Sequence, residues 1–350
     1  MKTNNHFIPK VYLKNWNYDG KTLFRYKLLV SDSREPEWQK SAIKTTAVKN
    51  NLYLAEVDGV ELDYLEEEFD KRLETKLQPV FIKIRNQIPL QKDDWDILQR
   101  FLYAQRYRTI PGIQRLINMA QDNYHEVIDS LDVDQLVKDY NAGKHRPPDE
   151  EAELKENEKY IPLTFDMSRT EENLLGVHTV IGPSIINKML QNILKRIPED
   201  FSKYDWKIVR AADGFTFPTT DDPVIFLKYY SDNNYQFIEQ LESYRDFIIM
   251  PISPKHLMLT RCMYADKETY SSRYWSRFLV KVIIEHANRE VYSTDPIEGI
   301  NMIRSRVVNP IQIAKEKEQI DDWFIKGTEM EKQIRTSREE LFSSLKKEEI

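Results

Sequence analysis

The sequence predicts an α+β protein, with a helix-rich N-terminal half bearing a small β-hairpin and a C-terminal antiparallel sheet flanked by helices. Three patterns predict it. In KTLFRYKLLV, apolar residues alternate with a period of two. Between residues 62 and 131 they recur at steps of three and four with charge between them. After Pro198, short runs rich in β-branched and aromatic residues are separated by turn chemistry.

Each element follows in turn. Pro9 suits the first turn of a helix, where its missing N–H would have no intrahelical partner. A short helix over residues 9–16 is expected, with His6 just ahead of its amino end. Asp19-Gly20 marks a turn. Phe24, Tyr26, Leu28 and Val30 then form one apolar face of a half-buried strand, whose expected partner is AVKNNLYLAEV, residues 47–57. From Asp58-Gly59 a long amphipathic helix places Leu62, Leu65, Phe69, Leu73, Leu77, Val80 and Ile84 on one face, and Pro79 predicts a kink in it. A second helix, capped by Asp93 or Asp94, ends near Pro111-Gly112, and a third runs through GIQRLINMAQDNYHEVIDSL. Residues 141–160 combine Gly, paired prolines and dense charge and read as a mobile linker or long surface loop. Helical text resumes in SRTEENLLGVHTVIGPSIINKMLQNILKRI. Strands are expected in YDWKIVRAA, FTFPTTDDPVIFL, DFIIMPI and KHLMLTRC, then a helix in SRYWSRFLVKVIIEHANR and a strand in EVYST. The chain thus divides into residues 1–140, the segment 141–160, an α+β half over 161–310, and a charged helical tail over 311–350 that suits packing or a protein partner.

Composition narrows the function. With 350 residues, 41% hydrophobic and 31% charged, the chain can bury real cores under a charged exterior. The opening MKTNNHFIPK has no apolar signal region and no stretch reaches the roughly 18 apolar residues of a membrane span, so a cytoplasmic protein without membrane contact is expected. A single cysteine, Cys262, excludes an internal disulfide and a multi-thiolate zinc site. The net charge of −6 argues against a protein that coats nucleic acid by its overall field, although a local basic cleft could still hold one. There is no Gly-rich phosphate loop, no GxSxG elbow and no HExxH.

Polar residues in apolar settings supply the candidates. In DILQRFLYAQRYRTIPG, Leu98, Phe101 and Leu102 fix a buried face that Gln105 and Arg108 join at helical spacing. An unpaired buried guanidinium would cost several kcal/mol, so Arg108 either pairs with an acid that ties the halves together or clamps an anion or phosphate. FTFPTTDDPVIF puts Thr219, Thr220, Asp221 and Asp222 at a strand-to-strand corner, where Pro223 forces Asp222 to an extended backbone. Turn formation accounts for one such residue; two adjacent carboxylates call for an arginine or a cation nearby. A divalent cation such as Mg²⁺ is one such cation, but no His or Glu stands beside them at ligand spacing and the metal ligands stay unassigned. His6 is either packed against a carbonyl or a general acid or base, the role its titration range suits. Asn288 lies between a helix and a strand, where Asn commonly closes a helix. His178, His256 and His286 have apolar neighbours and read as core or strand-end residues.

Taken in order, these segments resemble the domain of unknown function 4238 family. His6, Pro9, Tyr12 and Leu13 match its opening His-x-x-Pro-x-x-Tyr-Leu; Gln105, Arg108, Thr109 and Pro111 match Gln-x-x-Arg-Thr-x-Pro; FPTTDDPV matches Phe-x-x-(Ser/Thr)-Asp-x-Pro-Val. Pro251, Ser253 and Pro254 match a Pro-x-Ser-Pro strand, and Asn288 a late Asn. Many members open on paired histidines, where this chain has Asn5-His6. The resemblance covers most of residues 4–295 and implies a common pattern for His6, Gln105, Arg108, Asp221 and Asn288.

Because these residues come from both halves, they are expected to meet in one cleft. The leading expectation is a phosphodiester hydrolase, a nuclease of the kind used in bacterial defence or toxin systems. In it His6 serves as acid or base, Arg108 stabilises phosphoryl charge, Asp221 orients the nucleophile or holds a divalent ion, and Gln105, Thr220 and Asn288 position substrate. The rivals are a non-enzymatic binding protein with a buried Arg108–Asp221 pair and a nucleotide or anion sensor. Solvent access separates them: catalysis needs His6 and Arg108 to border a pocket.

Overall fold

In the computed structural model, residues 4–53, 55–57, 60–62, 64–129, 138, 163–166, 176–195, 201, 204–241, 246–260 and 272–348 are described. Strand β1 (Asn4–His6) leads into helix α1 (Lys10–Leu13), which continues as a 3-10 turn to Trp16 with Pro9 at its N-cap. Strands β2 (Thr22–Lys27), β3 (Leu29–Val30) and β4 (Trp38–Ala42) follow. β5 (Val48–Asn50) pairs with β1, and β6 (Ala55–Val57) with β7 (Val60–Leu62). The strand at 22–27 therefore has another partner than 47–57: it pairs with β4, and on its other edge with a strand near residue 290. Burial explains why. Leu23 enters the main core while Tyr26 enters a separate cluster, so both faces of β2 are covered and it sits inside a sheet. Phe24, expected in the core, is only half-buried and packs on Tyr18.

The long amphipathic stretch forms as α2 (Tyr64–Phe69), a π-helical turn (Asp70–Glu74) and α3 (Thr75–Arg85), with Leu65, Phe69, Leu73, Leu77, Val80 and Ile84 buried. The break expected from Pro79 takes the form of this π turn, one turn earlier, where Thr75 N–H reaches back to the Asp70 carbonyl. Helix α4 (Lys92–Arg108) is capped at Gln91 rather than at Asp93 or Asp94. Asp94 instead accepts the Gln91 N–H at 2.8 Å and both contacts of Lys83, at 2.7 and 2.8 Å, tying α3 to α4. Helix α5 (Ile110–Asp129) follows after one residue.

Beyond it lie the antiparallel pair β8 (Leu163–Asp166) and β9 (Gly176–Thr179), then α6 (Pro183–Lys195). Helical text was expected across 176–179; its Val and Thr favour a strand, and the helix starts only where Pro183 can open it. Strands β10 (Trp206–Arg210), β11 (Thr219–Thr220), β12 (Ile225–Ser231), β13 (Asn234–Phe237), β14 (Asp246–Ser253) and β15 (His256–Thr260) precede α7 (Arg273–His286) and β16 (Glu290–Ser293). After α8 (Ile300–Ile303), β17 (Val307–Val308) pairs with β3, and α9 (Pro310–Glu348) ends the described chain.

A five-stranded antiparallel sheet in the order β10-β15-β14-β12-β13 is the centre of the fold. Alternation sends Ile225, Leu227, Phe247, Ile249, Leu257 and Leu259 to α7, and Phe226, Ile248, Met250 and Met258 to the N-terminal helices. That second face shares one core with Tyr12, Phe81, Leu98 and Phe101, so the two halves are joined by a common hydrophobic interior. A smaller sheet, β11-β16-β2-β4, draws strands from both ends of the sequence. The fold is α+β, with helices flanking antiparallel sheets. Residues 141–160 and Cys262 lie outside the described residues.

Candidate functional site

The N-terminal motif is an anchor. Tyr12 is fully buried, and its hydroxyl donates to the Pro251 carbonyl at 2.6 Å and bonds Thr219 Oγ1 at 2.8 Å. Asn15 and Trp16 donate to the carbonyls of Ile252 and Phe217. One short helix thus pins the Pro-x-Ser-Pro strand and the Thr-Asp corner together. Its partner is the end of α4. Gln105 donates to the Phe7 carbonyl at 2.9 Å and Arg108 to the His6 carbonyl at 2.7 Å, so the two side chains hold the end of β1 and the residue after it by their backbone.

Arg108 is 1% exposed and its acid is Glu74, at 3.0 Å, from the π-helical turn; Glu66 lies 3.9 Å away. Its guanidinium sits 4.0 Å over the Phe69 ring, and the Tyr53 hydroxyl donates to the Arg108 carbonyl. The pair expected between Arg108 and Asp221 does not form. Asp221 instead accepts the backbone N–H groups of Asn288 (2.9 Å) and Arg289 (2.8 Å), fixing the turn from α7 into β16. The neighbouring Asp222 makes the ion pair, with Arg115 of α5 at 2.5 Å. Sequence reasoning missed Arg115 because GIQRLINM reads as an ordinary amphipathic stripe with the arginine on its polar side.

Thr109 joins the two groups of residues. Extended backbone between α4 and α5 lets its hydroxyl accept the Gly112 N–H at 3.0 Å and donate to Asp222 at 3.2 Å. Gly112 permits the close approach: a Cβ there would lie 2.5 Å from the Arg106 carbonyl oxygen. His6, Gln105 and Arg108 therefore cluster around β1, Thr220, Asp221 and Asn288 around β16, with Thr109 and Asp222 as the bridge.

Of the six candidates, Asn288 borders open space. It lies on a groove of about 750 Å³ between α5 and α9. Ile113, Ile117, Trp323 and Phe324 give apolar walls; Gln114, Asn118, Gln312 and Gln319 add carboxamides, and Arg115, Glu239, Arg289 and Glu316 add charge. Helix α9 is held over it by the Arg289–Glu316 pair at 2.5 Å, by Trp323 Nε1 donating to the Ile181 carbonyl, and by the Lys49–Asp321 pair. His6, at 5% exposure, and Arg108 are not among the groove's lining residues.

The family model described as Protein of unknown function (DUF4238) matches residues 4–296. The chain belongs to this family. No curated protein and no solved structure matches it. The family match ends before α9, so the groove has one wall inside the matched region and one beyond it. Three of the segments that carry the resemblance have a mechanical role here: the first anchors α1, the Gln105–Pro111 segment clamps β1 and starts α5, and the Thr-Asp corner ties α5 to β16.

Electrostatics reflect this burial. The His6 imidazole is pushed down to about 4, by burial first and then by the charges of Lys10 and Arg108, and its Nε2 is buried without a partner. Asp221 is pushed up to about 7 by burial, with Glu290 and Asp222 adding repulsion against the backbone donors. Burial also works against the charges of Arg108 and Asp222. Tyr53, Glu74 and Glu66 nonetheless hold Arg108 above its ordinary range, and Arg115 and His286 hold Asp222 below its own. The described residues contain no group of three or more His, Cys, Asp or Glu placed to hold a metal ion, and no helix among them is long and apolar enough to cross a membrane.

Proposed function

We propose that this chain is a binding protein of the sensor type that takes a nucleotide-sized ligand in the groove between α5 and α9. The observation that carries the reading is the lining: an aromatic wall of Trp323 and Phe324, carboxamides that can read the edge of a heteroaromatic ring, and the two arginines Arg115 and Arg289. A volume of about 750 Å³ suits a ligand of that size. The His6, Arg108 and Asp221 networks are then its frame.

The second reading, phosphodiester hydrolysis by His6, Arg108 and Asp221, draws support from a neutral imidazole with a free nitrogen and a carboxyl pushed up to about 7. It requires a motion that opens residues now sealed.

The test is titration of the purified full chain with ATP, GTP, UTP and adenosine, followed by tryptophan fluorescence and thermal shift. RNA and DNA incubations with Mg²⁺ or Mn²⁺ run beside it. Saturable binding that is lost in Trp323→Leu is expected. Absence of any response to every nucleotide overturns the reading, and cleavage lost in His6→Ala but kept in Trp323→Leu favours hydrolysis.

A further inference from the structure

Glu239 is the odd carboxylate of this groove. It follows the edge strand β13, and its side chain is 69% exposed, yet its Oε2 is shared by two guanidiniums: Arg106 Nη2 at 2.8 Å and Arg115 Nε at 2.8 Å. Arg106 lies behind it, 1% exposed and stacked 3.7 Å over Phe226, with its Nε buried and unpartnered. Two arginines are thus served by two acids of different kinds. Asp222 is buried and bound through both oxygens to Arg115, with Thr109 and His286 around it, and it cannot leave without breaking the α5 to β16 tie. Glu239 can leave, because its carboxylate is already largely hydrated and regains side-chain freedom on release.

Departure of Glu239 would leave Arg106 without an acid and Arg115 with one. Its backbone carbonyl still accepts from Arg106 Nη2, so the guanidinium stays in place while the oxygen position between the two arginines opens. A phosphoryl oxygen is the same type of acceptor with more charge, and guanidinium forks match it.

We propose that Glu239 occupies the phosphoryl subsite of the groove, and that a ligand's phosphoryl group displaces it from Arg115 Nε and Arg106 Nη2. This rests on the groove being the binding site and specifies which end of the ligand it recognises. The glutamate acts as a built-in competitor: it keeps the buried arginine neutralised when the groove is empty of ligand and weakens the hold on any anion too poor to displace it.

The experiment uses inorganic pyrophosphate as probe, with calorimetric titration of the full chain at fixed ionic strength. Glu239→Gln is expected to bind pyrophosphate about tenfold more tightly than the unaltered chain. The gain should disappear in the double variant Glu239→Gln/Arg115→Lys, whose ammonium lacks the fork. Glu239→Asp, too short to bridge both arginines, should gain less. A thermal melt of each variant shows that it is folded. Equal or weaker pyrophosphate binding by folded Glu239→Gln overturns the proposal. Adenosine binding without that gain overturns the subsite and leaves the nucleotide reading standing. A gain for pyrophosphate with no response to ATP, GTP, UTP or adenosine supports the subsite and ends the nucleotide reading.

Discussion

Replacing Arg108 with methionine separates a frame from a catalyst. Methionine keeps much of the buried stem and removes the charge. It strands the Glu74 carboxylate, now 3.0 Å from a guanidinium and only 16% exposed, and leaves the His6 carbonyl without its 2.7 Å donor. Removing one partner of a buried pair costs about 3–5 kcal/mol. Glu74 keeps some water, so a loss of about 3 kcal/mol is expected. Adding Glu74→Gln removes the orphaned charge and should restore roughly half of it. Equilibrium urea unfolding, followed by circular dichroism with the denaturant slope monitored, measures both. A single variant that loses under about 1 kcal/mol, or a double variant no more stable than the single, refutes the assignment of Arg108 to the frame.

Three further outcomes follow from the same contacts. His6 and Asp221 should produce opposite pH slopes of stability. The depressed imidazole loses stability as pH falls from its ordinary 6.5 towards about 4, whereas the raised carboxyl loses it as pH rises from its ordinary 3.8 towards about 7. Near pH 5 the two contributions nearly cancel, so relative to the unaltered chain His6→Asn should shift the slope of stability against pH downward and Asp221→Asn should shift it upward, each by roughly 1.4 kcal/mol per pH unit in urea titrations. Parallel slopes in both variants would contradict the two assignments. Thr109→Val removes both the α5 cap and the bond to Asp222 and should cost about 2 kcal/mol by the same assay. Gly112→Ala places a methyl against the Arg106 carbonyl and should cost about 1–3 kcal/mol, visible as a lower melting temperature.

The sequence made the elements legible where a pattern was local. Alternation found β2, runs of β-branched and aromatic residues between turns found the central strands, and helical spacing found α4 with Gln105 and Arg108 on its inner side. The Thr-Asp corner and the Asn288 junction also fall where turn chemistry placed them. What stayed hidden was partnership over long separations. Nothing near residue 108 announces that its acid is Glu74, because that contact depends on the π-helical turn ahead of Pro79. Adjacent Asp221 and Asp222 looked equivalent, yet one faces two backbone amides and the other an arginine on α5. The groove was illegible for a different reason. One of its walls belongs to a charged tail whose few aromatic residues, Trp323 and Phe324, acquire meaning only when α9 folds back over α5.

The small sheet has a consequence for biosynthesis. β2 lies between β4 and β16, and its neighbour Glu290–Ser293 leaves the ribosome about 260 residues later. At roughly 5–20 residues per second, the nascent hairpin waits on the order of ten to fifty seconds with one flank unpaired. Arg25 and Lys27, which later meet Glu290 in register or by charge, stand on that flank in the meantime. Lys27 already has Glu35 as its partner, but the Arg25 guanidinium, without its acid until Glu290 arrives, discourages another nascent chain from taking the seat reserved for β16.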